Sequence, residues 1–526
     1  MGIFNFYPFN FYRAALGLGC SALALAAAAN AAQAGDLING NSLLVTTTTY
    51  QDVGQVAGLV AGTTAIPGGT AVSNGALNTV WNNSNVDGQF GVTSPLTLQD
   101  LSATSAKLLA SETLPTNQVV TSFSSKSELG LSIARTASGP VATFMGYTPG
   151  GAGYPPVAAG VLDVSNADST SYVDTTNVAS QFYKSTYTDF AFNRSVVAVG
   201  ANGSFSITPT LAYGGDNSRA AVLGPNGLYY TVGNSNSGTT TAPQLTKTTG
   251  LEVVTPGSTP NSTMIDPNFN TYPGYQTYSK DKAGKTNNYR GVTYYDGNLY
   301  FTKGSGGNGI DTVYTVSNPN GKLPTSATAA DATISILPGF PTDSAKQTGA
   351  NFTPFGLFFA NPTTLYVADE GTGNATDVST NAGLEKWTLS AGTWSLDYTL
   401  QAGLIGDTYS VPGWDYGETT IGLRNLTGTV NTNGTVTLWA TTGTVSGSGD
   451  NGADPNQIVK ITDVLGDTAL PTSEAFSVFD GPVAGLRYGG VAFAAAPEPS
   501  TWAMLLLGFG GLGFVGYRKR PVPSLG

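Results

Sequence analysis

Four stretches of this 526-residue chain share one pattern, a short run of β-branched and aromatic residues, a tight turn, and a second such run. They are RAAVLGPNGLYYTVG (219–233), RGVTYYDGNLYFTKG (290–304), FGLFFANPTTLYVADEG (355–371) and RNLTGTVNTNGTVTLWATTG (424–443). Their turns contain Pro-Asn-Gly, Asp-Gly, Asn-Pro and Asn-Gly, which permit the backbone angles a hairpin needs. Leu228, Leu299, Leu365 and Leu438 hold the same place in the second run, so the repeat lengths are 71, 66 and 73 residues. A third run, and usually a fourth, follows each hairpin across a polar loop, as in 311–317 with 332–340, 383–390 with 393–401, and 456–464 with 474–482. Four strands per unit at this period predict an all-β fold, a β-propeller.

An earlier unit is visible in LSIARTASGPVATFMGY (131–147), with later strands at 194–203 and 205–214. The two ends complete each other. RYGGVAFAA (487–495) reads as an innermost strand with no unit of its own, and NSLLVTTTT (41–49) begins at a second strand. Pairing them closes a ring of six four-stranded blades, and the stretch 150–189 leaves room for a seventh. A two-sheet sandwich of this length would divide into domains, and no linker does so. A β-helix would repeat every twenty-odd residues.

The termini carry signals of their own. Arg13 precedes an apolar run from Ala14 to Ala29, and Ala32-Gln33-Ala34 offers the small residues that signal peptidase accepts, so 1–34 reads as a signal peptide. Cys20 falls inside that run, with Gly17 where a lipobox has Leu. Near the other end stand Pro497, Glu498 and Pro499, then sixteen uncharged residues from Trp502 to Tyr517, then Arg518, Lys519 and Arg520. As a helix that run reaches about 24 Å, a short membrane span whose cations favour the cytoplasmic side. The order of collar, span and cations resembles the PEP-CTERM sorting signal of Gram-negative bacteria. That resemblance implies an exosortase, a membrane protease-transpeptidase, as a partner, and an exported or surface-attached carrier, often beside exopolysaccharide. The tail Pro521 to Gly526 extends past the family's usual end. The expected organisation is signal peptide 1–34, propeller 35–496 and sorting signal 497–526. The strand TLYVADEG (364–371) also resembles NHL-type and lactonase-type propeller repeats.

Composition narrows the chemistry. Without the two signals the chain keeps 18 cations against 32 anions, a net charge of −14, which argues against nucleic acid as a partner. Histidine is absent and Cys20 is the only cysteine, so the mature chain forms no ordinary zinc site and no Ser-His-Asp or Cys-His machinery. Carboxylate pairs, tyrosine or lysine chemistry and oxygen-ligated metals remain.

Inner strands of a propeller line a channel, so recurrent polar residues at their starts converge in space. Arg219, Arg290, Arg424 and Arg487 recur there, with Tyr289 beside them. A ring of guanidinium groups would bind carboxylate or phosphate, as on an acidic polysaccharide; the plainer reading is that each arginine pairs with an acidic neighbour and locks two blades. Asp369, Glu370 and Asp377, and Asp450 with Asp454, stand in glycine-containing loops that could hold Ca²⁺ or simply face solvent. Trp387, Trp394, Trp414 and Trp439 could stack on sugars or fill the space between blades. Gly304, Gly306 and Gly309 fit a dinucleotide-binding spacing, but a strand follows rather than a helix. The expectation is an exported binding module for exopolysaccharide or another envelope component. The contrary class is a divalent-metal-dependent propeller enzyme, a lactonase-type hydrolase or a polysaccharide lyase.

Overall fold

The computed structural model describes residues 36–49, 93–122, 129–149, 192–213, 217–234, 249–267, 287–304, 308–345, 351–373, 381–414, 416–445 and 454–495, with Phe269 and two short strand pieces between 65 and 70. Both terminal signals, Asp377 and Asp450 lie outside the described residues, as does the stretch 150–189.

Six antiparallel sheets of four principal strands form a six-bladed β-propeller. Blade 4 is typical. Its strands Val292–Tyr295, Asn298–Lys303, Thr312–Val316 and Ile334–Ile336 run in order from the axis outward. The hairpin that opens it turns at Asp296 and Gly297, both at positive φ (45° and 84°), as the Asp-Gly signal requires. The first strands of blades 2, 3, 5 and 6 are Ser132–Thr136, Ser218–Leu223, Pro354–Asn361 and Gly417–Val430. Blade 6 carries an extra short strand, Thr408–Ser410, on the start of its long first strand.

Blade 1 is the closure. Leu486–Ala494, the last strand of the chain, supplies its inner edge and pairs with Ser42–Thr49, from Ser42 opposite Ala494 to Thr49 opposite Leu486. Leu96–Ser102 and Leu108–Thr113 complete the sheet. The ring is thus held by a ladder between the two ends of the chain, as the unpaired first and last segments predict.

The core is a ring as well. Each of the six junctions between blades has its own apolar cluster. Leu44, Leu98, Phe144 and Val197 join blades 1 and 2. Met145 and Val196 meet Ala221 and Val254 between blades 2 and 3. Tyr230 and Leu251 meet Phe301 and Tyr314 between blades 3 and 4. Trp387 stacks on Phe340, with ring centroids 4.0 Å apart, between blades 4 and 5. Leu384 and Leu400 face Leu438 and Val459 between blades 5 and 6, and Trp439 meets Val45 and Val491 at the closing junction. Twisted sheets leave wedge-shaped gaps that large rings fill, which accounts for the burial of these tryptophans.

One junction also carries a buried ionic latch. Lys386 of blade 5 donates to Asp463 Oδ2 of blade 6 at 2.9 Å and to the Val464 carbonyl at 2.8 Å. The hydroxyls of Tyr366 and Tyr398, both from blade 5, donate to the same carboxylate, Tyr398 at 2.6 Å. Both charges are out of water, with side-chain exposures of 1% and 0%. Burial and the Asp463 charge hold both phenols well above their usual range.

Two outcomes follow from this packing. A Cβ on Gly490 would lie 2.2 Å from the Leu129 carbonyl oxygen of the next blade, so Gly490→Ala should cost about 1–3 kcal/mol in denaturant unfolding, whereas Gly466→Ala, with open space, should cost far less. Asp463→Asn leaves Lys386 buried without its counter-charge and should cost about 3–5 kcal/mol in the same assay.

Candidate functional site

The six first strands surround an axial cavity of about 200 Å³. Its lining combines apolar side chains such as Ile133, Val292, Phe358 and Phe493 with the neutral polar residues Ser132, Thr293, Tyr294, Asn425 and Thr427, and no carboxylate, lysine or arginine is among the described residues that line it. The strands approach so closely that each blade places a small or amide residue at the junction. A Cβ on Gly291 would stand 2.3 Å from the Phe355 carbonyl, and one on Gly356 2.7 Å from the Arg424 carbonyl. Gly130 donates its N–H to the Arg219 carbonyl at 2.9 Å, and Asn425 Nδ2 reaches the Gly489 carbonyl at 2.8 Å.

The residue just before each of these positions therefore forms a rim at one end of the channel: Gly489, Leu129, Arg219, Arg290, Phe355 and Arg424 in blades 1 to 6. Three of the four arginines singled out in the sequence occupy equivalent places. Arg487 stands two residues earlier than the corresponding place in blade 1, opposite Thr48, and is 2% exposed.

The rim is a buried charge network. Arg424 Nε donates to Glu370 Oε1 at 3.0 Å, which ties the inner strand of blade 6 to the end of the second strand of blade 5. Lys303 pairs with Asp311 within blade 4. Arg219 donates to the Asn288 side chain and, at 2.9 Å, to the Tyr289 carbonyl. Arg290 lies between these groups with its guanidinium carbon 5.8 Å from the centre of the Phe355 ring. It forms no ion pair with a described residue, and its buried Nε has no hydrogen-bond partner. Burial, then the like charge of Arg219, pushes this guanidinium down to about 9, with Arg424 adding to the effect and Glu370 and Asp311 opposing it.

Tyr289 is 1% exposed. Its ring packs on Phe301 and Tyr314, with centroids 4.5 and 5.6 Å away, so its faces belong to the core between blades 3 and 4.

Asp369 and Glu370 are also buried. Asp369 accepts from the Thr353 N–H at 2.8 Å, the Thr353 hydroxyl and the Gly371 N–H at 2.7 Å, fastening the loop that enters blade 5 to the end of its second strand. Glu370 is committed to Arg424. Asp454 is 1% exposed, at the entry to the third strand of blade 6. Among the described residues no group of three His, Cys, Asp or Glu side chains is placed to hold a metal.

Two buried glutamates escaped the sequence reading. Glu252 and Glu385 each follow Gly-Leu at the start of a third strand, and both glycines, Gly250 and Gly383, have positive φ (90° and 130°). The repeated Gly-Leu-Glu was the available signal. Burial pushes both carboxyls well up, and for Glu385 the Asp369 charge adds to it, against a hydrogen bond of 2.8 Å from the Trp387 indole.

Residues 495–520 match the model of the PEP-CTERM protein-sorting motif. The chain carries a PEP-CTERM sorting signal. The motif implies export to the cell envelope and processing by an exosortase. No helix among the described residues is long and apolar enough to cross a membrane. No curated protein matches the chain. The solved structures similar to it include a candidate 6-phosphogluconolactonase from Bacteroides fragilis and the hemagglutinin-neuraminidase ectodomain of parainfluenza virus 5. The first has 10% identity and a TM-score of 0.29 over 85% of this chain and 98% of its own. The second has 10% identity and a TM-score of 0.31 over 89% of this chain and 93% of its own. Neither superposition is close enough to carry an argument about activity.

Asp369 gives the rim a pH dependence. Burial, only partly offset by the Thr353 and Gly371 donors, pushes its carboxyl from 3.8 up to about 6. The folded chain keeps this proton where the unfolded chain has lost it. Its contribution to stability is therefore full below about pH 4 and falls by about 3 kcal/mol as pH rises through about 6. Asp369→Asn removes this titration, so the urea stability of wild type should fall by about 3 kcal/mol relative to the variant between about pH 4 and pH 6.

Proposed function

We propose that this protein is an exported, envelope-associated binding module that holds the carboxylate groups of an acidic exopolysaccharide at its arginine rim. The organisation this assumes is a signal peptide over 1–34, removed on export, a propeller over 35–496 and a sorting signal over 497–526. One observation carries the reading. Four cations, Arg219, Arg290, Arg424 and Lys303, gather around two carboxylates, Glu370 and Asp311; Arg424 and Lys303 take the carboxylates, Arg219 takes the Asn288 side chain and the Tyr289 carbonyl, and Arg290 has no ion pair with a described residue and an unpartnered Nε. A buried positive charge without a counter-charge is costly, and a carboxylate delivered by a ligand offsets that cost while matching the planar guanidinium. The surplus is local, against a mature net charge of −14, so a polyanion would meet attraction at the rim and repulsion elsewhere. Binding is favoured over hydrolysis or lysis because the acids beside the rim already have partners, Glu370 in Arg424, Asp311 in Lys303 and Asp369 in Thr353 and Gly371, and the described lining of the axial cavity offers no acid to take their place.

Retention of the mature chain on immobilised alginate, compared with neutral dextran, tests this. Wild type should be retained on alginate alone and released by salt. Arg290→Gln should weaken retention at least roughly ten-fold, as expected for loss of a charge-assisted pair. Equal retention of wild type and a folded Arg290→Gln variant would refute the rim as the binding site.

A further inference from the structure

A second polar site, separate from the arginines, lies at the start of the first strand of blade 6, where the extra strand Thr408–Ser410 pairs with it. Glu418 opens the long first strand of that blade and is fully buried, yet neither carboxylate oxygen has a hydrogen-bond partner. In the ladder Glu418 stands opposite Tyr409, and Thr420, two residues on and on the same face, stands opposite Thr444. Thr444 is 0% exposed and its hydroxyl also lacks a partner. Tyr409 extends from the same face, and its hydroxyl donates to the Pro455 carbonyl at 3.1 Å, which brings in the neighbouring Asp454. Burial, and then the charge of Asp454, pushes the Glu418 carboxyl up to about 9, with the Trp414 indole opposing in part. Two unpartnered oxygens on the buried Glu418 carboxylate, an unpartnered Thr444 hydroxyl and a second carboxylate whose charge reaches Glu418 make an arrangement that is unfavourable as it stands. Unsatisfied buried groups of this kind ordinarily mark an ion or a water.

We infer that Glu418, Asp454 and the Thr444 hydroxyl form a site for a hard divalent cation, with Ca²⁺ the species an exported protein would meet. All the ligands are oxygens, as such a cation requires, and the two carboxylates balance its charge. The two remaining unsatisfied groups, the second Glu418 oxygen and the Thr444 hydroxyl, would complete part of the coordination shell, and water the rest. With only two carboxylates the affinity should fall near the 10⁻⁴ to 10⁻³ M range typical of extracellular modules, on the order of the weak end for such sites. The loop residues Asp369 and Glu370 are no part of it, because each already has its donors within the rim.

The nearby indole of Trp414 supplies a readout that does not depend on any activity. Titrating the mature chain with Tb³⁺ and exciting tryptophan should give sensitised emission that Ca²⁺ competes away, and calorimetry should find one Ca²⁺ per chain. Glu418→Gln and Asp454→Asn should each weaken Ca²⁺ binding at least ten-fold, and Trp414→Phe should lose most of the emission while keeping the calorimetric signal. Should Glu418→Gln fail to fold, Thr444→Val, which keeps the shape and removes one ligand, should weaken binding several-fold. Absence of Ca²⁺ uptake by wild type at roughly 10 mM, ten times the weak end of the range above, would overturn the site in favour of a proton shared by two carboxyls. So would an unchanged affinity in folded Glu418→Gln or Thr444→Val, or a loss caused by Asp369→Asn instead.

Discussion

The close approach of six first strands at the axis is the constraint from which the rest of this molecule follows. At Gly490, Gly291 and Gly356 the neighbouring blade's carbonyl occupies the space that a Cβ would need. Threonines from the second strands fix the approach. Thr46 accepts the Gly490 N–H at 2.6 Å and donates to the Leu129 carbonyl at 3.0 Å, and Thr302 does the same between the Gly291 N–H and the Phe355 carbonyl, at 3.0 and 2.7 Å. Each hydroxyl satisfies one buried donor and one buried acceptor on different blades, so the axis is stitched by side chains where no strand ladder can reach. The residue before each small one is carried to the rim with its backbone already fixed. Three of those residues are arginine, and their convergence is a consequence of how the axis packs.

Buried charge serves two ends in this fold. The pairs Lys386 with Asp463 and Arg424 with Glu370 each span the junction between blades 5 and 6, one far from the axis and one beside it. Apolar wedges tolerate small rotations of one sheet against the next, whereas a carboxylate that must meet a lysine and two phenols together admits one register. Arg290 differs in kind. The Phe355 ring lies beside it, and of the charges that reach it, Arg219 and Arg424 repel it while Glu370 and Asp311 are already paired with other cations. A chain selected for stability alone would gain from replacing it, which is the physical ground for reading it as functional.

Much of this was legible in the sequence, because the signals for strands and turns are local. Asp-Gly and Asn-Gly turns, the recurrent leucine and the unpaired end segments predict the blades, their order and the closure, and the six described blades agree with the lower of the two counts the sequence allowed. Side-chain partners were less accessible, since they depend on which residues of adjacent blades face one wedge. Glu370 reads as a loop acid in the sequence, and only the packing of blade 5 on blade 6 turns it toward Arg424. Tyr289, beside an arginine in a tyrosine-rich segment, offers both a stacking platform and the more ordinary role of core between blades, and Phe301 and Tyr314 cover it in the second way. Glu418 had no signal at all, for its significance arises from groups at 409, 444 and 454 that only the sheet brings together.

The closure also orients the molecule. Every first strand runs from the arginine rim toward the opposite mouth, so the last one, Leu486–Ala494, ends on the face away from the arginines. There Arg135 of blade 2 holds the Ala495 carbonyl at 2.7 Å, at the residue where the sorting motif begins. Ser42, paired with Ala494, brings the start of the propeller to the same face. Both ends of the folded body therefore leave from one mouth, and the arginines occupy the other. A body held by its C-terminal segment would present the rim outward, where a polymer can reach it. With no cysteine after residue 20, the ladder between Ser42–Thr49 and Leu486–Ala494 takes the part a disulfide often plays in exported proteins, since opening the ring requires breaking that whole ladder at once.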